Sequence, residues 1–270
     1  MKAASDHNLI TLTPGGAAPG TRALAAEVPV SLTFNGVAHV VMMMTPQDLE
    51  DFALGFALAE QIIDAPDQLL SVEARPIEGG ILVRAEIPKE RHALILEGRR
   101  NMVGQTGCGI CGVVELDHAV RDLQPVTATP RADRAAIFRA LGALHDLQKL
   151  NQETGAVHAA ALANDAGEII AIREDVGRHN ALDKLAGHVI RADLPHDKGF
   201  VLLSSRCSHE LVQKAVMLGV PMLVAVSAPT TLAVDYAQRT GLTLIALARS
   251  DSMLCFNDPH GAFAEDTRQS

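Results

Sequence analysis

The sequence predicts an α/β protein in two parts, a small α+β unit followed by a larger sheet with helices packed on its faces. Three observations carry this reading. An Asn35-Gly36 dipeptide separates two apolar runs near the N-terminus, and from residue 157 onward short apolar runs alternate with helical periodicities. The chain of 270 residues is also 48% hydrophobic but only 3% aromatic, with no Trp, so its core must be aliphatic.

Residues 1–21, rich in Gly, Thr, Ala and Pro, show no periodicity and read as a disordered tail. The small α+β unit covers 22–98. Val28–Phe34 and Val37–Met43 flank Asn35-Gly36, the dipeptide suited to a two-residue hairpin turn in which both residues take positive φ. The run Met42–Met44 then reads as strand end rather than as a metal site. Thr45-Pro46-Gln47-Asp48 looks like a helix start, with a hydroxyl cap, a proline at the first helical position and an acid three residues after the cap. Leu49, Phe52, Ala53 and Phe56 follow on one face. Two further strands, Leu69–Arg75 and Ile81–Ile87, are separated by Glu78-Gly79-Gly80.

Residues 99–125 form a cysteine loop and linker, and the larger sheet occupies 126–257, with 258–270 as a C-terminal tail. A helix is expected over 130–151, where Ile137, Leu141, Leu144, Leu147 and Leu150 recur at helical spacing as a core face and Gly155 lies just beyond. Then come Val157–Ala163, a turn at Asn164–Gly167, Glu168–Glu174, a helix over 178–191, Gly199–Ser204, a helix over 208–218, Met222–Val226, a helix over 230–240 and Leu242–Ala248. Such alternation predicts a sheet whose ligands bind at its strand ends.

No apolar run reaches the ~18 residues of a membrane span, and Asp6, His7 and Asn8 stand where a signal peptide would be apolar. The expectation is a soluble cytoplasmic protein without a membrane partner. There the four cysteines, Cys108, Cys111, Cys207 and Cys255, read as reactive or metal-binding thiols rather than as disulfides. A net charge of −9 argues against a nucleic acid as the main partner, because such binding is driven by neutralising phosphates with cations.

Gly104-Gln105-Thr106-Gly107-Cys108-Gly109-Ile110-Cys111-Gly112 places two thiols and four glycines in nine positions, too few apolar residues for a core. Such a loop is expected to expose its thiols, and three uses remain open: half of a zinc site, a redox dithiol, or a nucleophile that takes up and releases sulfur. Zinc needs four ligands, and the nearest other Cys/His cluster is Cys207-Ser208-His209, where Cys207 equally reads as a small buried residue.

A second cluster is the run from Arg173 to Lys184, Arg-Glu-Asp-Val-Gly-Arg-His-Asn-Ala-Leu-Asp-Lys, at a strand-to-helix junction that favours anions. It reads either as an anion site or as a surface loop whose ions pair with one another. A third, Ser204-Ser205-Arg206 with His209 and Lys214, sits at another such junction. Together they suggest a phosphate-binding crevice.

The Gly-Cys-Gly-Ile-Cys-Gly loop, the Arg173–Lys184 run, Ser204-Ser205-Arg206 and Ser227-Ala228-Pro229-Thr230 together resemble the FdhD family of formate dehydrogenase accessory sulfurtransferases. Glu27-Val28-Pro29 and Thr45-Pro46-Gln47-Asp48 fit as well, so the likeness spans about residues 22 to 257. The resemblance implies a cytidine-deaminase-like C-terminal domain and a homodimer. It further implies sulfur accepted from a cysteine desulfurase as a persulfide on Cys108 with Cys111 assisting. Delivery is then to a molybdenum bis(pterin guanine dinucleotide) cofactor for formate dehydrogenase, with no metal held by the protein's own side chains. The family's cofactor-binding stretch falls on Leu247, Ala248, Arg249, Ser250, Asp251 and Ser252, where this chain departs from the family by having Leu247 in place of an aromatic and Leu254-Cys255-Phe256 at the end. Arg178, His179, Ser205 and Arg206 complete the expected site, for which GDP should serve as a mimic of the cofactor. A deaminase would instead need a His-x-Glu segment, and His158-Ala159-Ala160 lacks the Glu. A non-catalytic cofactor chaperone, with incidental cysteines, is the remaining alternative.

Overall fold

The computed structural model describes residues 1–93 and 123–263. Cys108 and Cys111, and with them the Gly104–Gly112 stretch, lie outside the described residues, as does the end of the expected C-terminal tail.

The chain opens with a correction. Residues expected as a disordered tail form a two-stranded antiparallel ribbon, β1 (Ala4–Thr13) and β2 (Gly16–Ala25), in register from Ala4 opposite Ala25 to Thr13 opposite Gly16. Both strands are solvated along most of their length, so there is no buried face to produce the alternation by which a strand is read from sequence. The ribbon is tied down by Arg22, whose guanidinium donates to Thr154 O at 3.2 Å.

The next sheet has the order β4-β3-β6-β5, built from β3 (Val28–Phe34), β4 (Val37–Met44), β5 (Ser71–Ile77) and β6 (Gly80–Glu86). Asn35 and Gly36, at φ 49 and φ 78, form the expected turn. Val30, Leu32, Phe34, Ile81 and Val83 bury one face of this sheet against Phe52, Ala53 and Phe56 of α1 (Leu49–Ala59). The start of α1 differs from expectation. Asp48 at φ 53 precedes the helix without a side-chain cap, and the Thr45 hydroxyl accepts instead from Val176 N at 3.2 Å, a partner 131 residues away.

The helix expected over 130–151 is two helices, α2 (Arg134–Leu147) and α3 (Lys149–Thr154), which meet at Gln148. Asp133 caps α2 by accepting from Ala136 N, and Gly155 closes α3 at φ 69. The break has a tertiary cause. The Glu174 carboxylate accepts from Leu150 N and Asn151 N, at 2.9 Å each, and so binds the exposed amides of a new helix start.

The central sheet has the order β12-β11-β10-β9-β7-β8. Its strands are β7 (His158–Ala163), β8 (Ile169–Asp175), β9 (Phe200–Leu203), β10 (Met222–Ala225), β11 (Thr243–Ala246) and β12 (Leu254–Asn257). β9, β10 and β11 run parallel, while β7 is antiparallel to both β8 and β9, so β8 points the same way as the other three. Three helices, α4 (Arg178–Arg191), α5 (His209–Leu218) and α6 (Thr231–Thr240), cover one face through Leu182, Leu185, Val189, Leu211, Val212 and Tyr236. On the other face α2 packs Ile137, Ala140 and Leu144 against Phe200, Leu202, Met222 and Val224. The four-stranded sheet and the central sheet therefore have separate cores, and α1 lies across α4 where the two meet.

Candidate functional site at the carboxyl edge of the central sheet

The four co-directional strands end at one edge of the sheet, and the turns that follow them carry the residues singled out in the sequence. Asp175 ends β8 and leads to Arg178 and His179. Leu203 ends β9 and leads to Ser205 and Arg206. Ala225 ends β10 and leads to Ser227, and Ala246 ends β11 and leads to Leu247–Ser252. β7 runs the other way, so His158 at its start joins the same edge.

These turns are linked. Ser227 N donates to Ser205 O at 3.4 Å, and Leu247 N donates to Ser227 O at 3.2 Å, so the β9, β10 and β11 turns form a backbone ladder. On the far side of β7, His179 Nε2 lies 2.8 Å from Glu210 Oε2 and 3.3 Å from Ser208 Oγ, joining the start of α4 to the start of α5. The bond from His179 holds the Glu210 carboxyl down at about 2, against the pull of partial burial in the other direction. His158 is shifted down, first by burial and then by the neighbouring Arg178 cation, whose own Nε is buried without a partner among the described residues. Ser205 Oγ donates to Arg206 O at 2.9 Å, which fixes that turn. The expected residues thus form two groups, Arg178 with His179 and Leu247–Ser252, with Ser205 and Arg206 between them. The strands that carry the outer groups, β8 and β11, are separated by four strand spacings, about 19 Å.

Most of the Arg173–Lys184 run is not at this edge, nor is it a surface loop. Asp175 and Lys184 are both fully buried, with Lys184 Nζ donating to Asp175 Oδ2 at 2.6 Å and to Thr45 O at 3.0 Å. Asp175 also accepts from Thr45 N, Gly177 N and Asn180 Nδ2, and Asn180 Nδ2 reaches Met43 O as well. Arg173 pairs with Asp51 of α1 at 2.8 Å. Lys214, grouped with the anion-binding candidates in the sequence, is buried and paired with Asp183 at 2.7 Å. Burial pushes the Asp183 carboxyl up and the Lys214 ammonium opposes it. The bonds of Asp175 and Lys184 to Thr45, of Asn180 to Met43 and of Arg173 to Asp51 join the two sheets across more than a hundred residues of sequence, which only the fold can show.

Beside the β11 turn a groove of about 360 Å³ opens between α2 and the Leu247–Ser252 stretch. Ala248, Arg249 and Ser250 form one side of it, while Phe138, Leu141 and Gly142 of α2 form the other. Leu141, on the core face that the sequence predicts, packs against that core and also lines the groove. The sequence signal of the groove is a glycine in the middle of a helix. Leu247 turns the chain at φ 52, a left-handed conformation that is uncommon outside glycine and marks a constrained turn.

The two described cysteines differ from the expected reactive pair. Cys207 is fully buried beneath the β9 turn, with N–H donating to Ala228 O, and burial pushes its thiol up to about 12. Cys255 is exposed on β12, its thiol donates to Asn257 O, and its pKa is raised by partial burial and by Asp258. No helix among the described residues is long and apolar enough to cross a membrane.

The chain is 44% identical to the sulfur carrier protein FdhD of Variovorax paradoxus (strain S110) over 263 residues, covering 93% of this chain and 95% of that protein. It is 45% identical to the sulfur carrier protein FdhD of Xanthomonas campestris pv. campestris (strain B100) over 236 residues, covering 87% of this chain and 84% of the relative. The fold matches the crystal structure of a protein assigned as a formate dehydrogenase accessory protein from Desulfotalea psychrophila, with a TM-score of 0.74 at 22% identity, over 96% of this chain and 99% of that one. The family model for FdhD/NarQ matches residues 25–262, which is nearly the whole chain, and the protein belongs to the FdhD/NarQ family.

Proposed function

We propose that the protein is a sulfurtransferase that accepts sulfur as a persulfide on Cys108 and delivers it to a molybdenum bis(pterin guanine dinucleotide), for use by formate dehydrogenase. The observation that carries this reading is the burial of Cys207, together with an exposed Cys255 whose pKa is raised. Cys207 is buried with its thiol pushed up to about 12, and the Cys255 pKa is raised by partial burial and by Asp258. The thiolate is the reactive species, so sulfur chemistry falls to Cys108 and Cys111 in their glycine-rich segment. The relatives named as sulfur carrier proteins support the same reading.

In the uptake step the Cys108 thiolate attacks the terminal sulfur of a persulfide on a cysteine desulfurase. The donor's S–S bond breaks, a new one forms on Cys108, and the donor leaves as a thiolate. In the release step the Cys111 thiolate attacks Cys108 Sγ and expels the outer sulfur as sulfide toward the metal. A Cys108–Cys111 disulfide remains, and a dithiol reductant resets it. The acceptor's two guanine nucleotide arms suit the two groups along the sheet edge, Arg178 with His179 and Arg249 with Ser250 and Ser252, since charge-assisted bonds to phosphate are the strong ones.

Intact-mass analysis after incubation with a cysteine desulfurase and cysteine tests this. The wild-type chain should gain the mass of one sulfur atom and Cys108→Ala should not. An adduct that survives Cys108→Ala and is lost with Cys207→Ala or Cys255→Ala would overturn the assignment. A Cys108→Ala variant that still activates formate dehydrogenase in cells would favour a non-catalytic chaperone.

A further inference from the structure

Gly142 occupies the middle of α2 without a local reason. A glycine there weakens a helix relative to alanine. A Cβ built on it meets nothing within 4 Å, so no neighbour demands its absence, and its φ is not positive. What the missing side chain does is keep the groove of about 360 Å³ open, since Gly142 lines it one helical turn after Phe138. The opposite wall is Val226 and Ala248. Arg249 also lines it, exposed and without a carboxylate partner among the described residues, with Ser250 beside it. A groove with an aromatic side, apolar walls and one exposed cation among its lining residues suits a planar heteroaromatic ring that carries a phosphate.

We propose that α2 is the second wall of the nucleotide site, with Phe138 stacking on a purine base and Gly142 leaving the space that the base occupies, while Arg249 and Ser250 hold its phosphates. This rests on the reading that Leu247–Ser252 take up a guanine nucleotide, and it adds a base-recognising surface that those six residues do not themselves supply. After the constrained turn at Leu247, Ala248 is buried in the wall and Arg249 is exposed beside it.

Titration of the full-length protein with GDP, and with pyrophosphate as a base-free probe, separates the two ideas. Phe138→Leu should weaken GDP binding roughly tenfold, the order of a lost base–aromatic stack, and leave pyrophosphate binding unchanged. Phe138→Tyr, which keeps the ring, should bind GDP like the wild type. Gly142→Leu should weaken GDP binding to a similar degree while melting at or above the wild-type temperature, and Arg249→Ala should weaken both ligands. If Phe138→Leu and Gly142→Leu bind GDP like the wild type while Arg249→Ala does not, the α2 wall is wrong and the cofactor reading stands. If the wild type binds no GDP, both are wrong. Loss of GDP binding by Phe138→Tyr as well would mean that the position serves packing and would overturn the stacking role.

Discussion

Gly55 of α1 and Gly187 of α4 meet backbone to backbone: a Cβ on Gly55 would stand 1.9 Å from Asp183 O, and one on Gly187 would stand 1.8 Å from Asp51 O. Both distances are far inside van der Waals contact, so the crossing of these helices exists only because neither position has a side chain. Gly55→Ala and Gly187→Ala should each lower stability by at least ~2 kcal/mol through overpacking, despite alanine's better helix propensity. Urea denaturation of each variant measures this, and an unchanged midpoint would mean that α1 does not dock on α4 at this depth.

Close to that crossing, the Lys184–Asp175 pair is fully buried and bonded to Thr45 on the N-terminal side. Burial pushes the Lys184 ammonium down while Asp175 opposes the shift. Removing one partner leaves the other charge buried and uncompensated, so Asp175→Ala or Lys184→Ala should cost about 3–5 kcal/mol. The joint replacement Asp175→Leu with Lys184→Met should cost less than Asp175→Leu and Lys184→Met added together, as a double-mutant cycle would reveal.

Glu210 should titrate near 2 in the folded protein instead of near the usual 4.5, chiefly because His179 bonds to its ionised form. A carboxyl held low in the folded state contributes stability that is complete above 4.5 and is lost as pH falls from 4.5 through about 2, because the unfolded chain takes up its proton first. Carboxyl-carbon NMR should place the midpoint near 2 in the wild type and higher in His179→Gln. A wild-type midpoint at the ordinary glutamate value would mean that the His179–Glu210 contact does not persist in solution.

The Cys207 thiol, pushed up to about 12, should stay protonated and shielded at pH 8. Iodoacetamide on the native protein should label Cys108 and Cys111 and leave Cys207 intact until denaturant is added. Cys207→Ala should also retain sulfur uptake from a desulfurase. Rapid labelling of Cys207 in the native state would remove the main support for assigning the chemistry to the Gly104–Gly112 thiols.

Features that depend on neighbours in the chain were legible in the sequence. Asn35-Gly36 formed its hairpin because the turn needs positive φ at two adjacent positions, which this dipeptide tolerates. The helix over 178–191 and the strand-helix alternation beyond residue 157 followed from periodicity, and alternation is what brings the turns after β8, β9, β10 and β11 to one edge. Tertiary structure decided the rest. The ribbon of residues 4–25 has no buried face to leave a pattern, and the break at Gln148 depends on a carboxylate more than twenty residues away. Thr45 reads as a helix cap but serves Val176, and Asp175 and Lys184, which read either as part of an anion site or as surface ions that pair with one another, do pair but are buried where the two sheets join. At Gln148, Thr45, Asp175 and Lys184 the local residues allow several partners, and the choice falls to whichever buried donor or charge the fold leaves unsatisfied, since leaving it so costs more than any local preference returns.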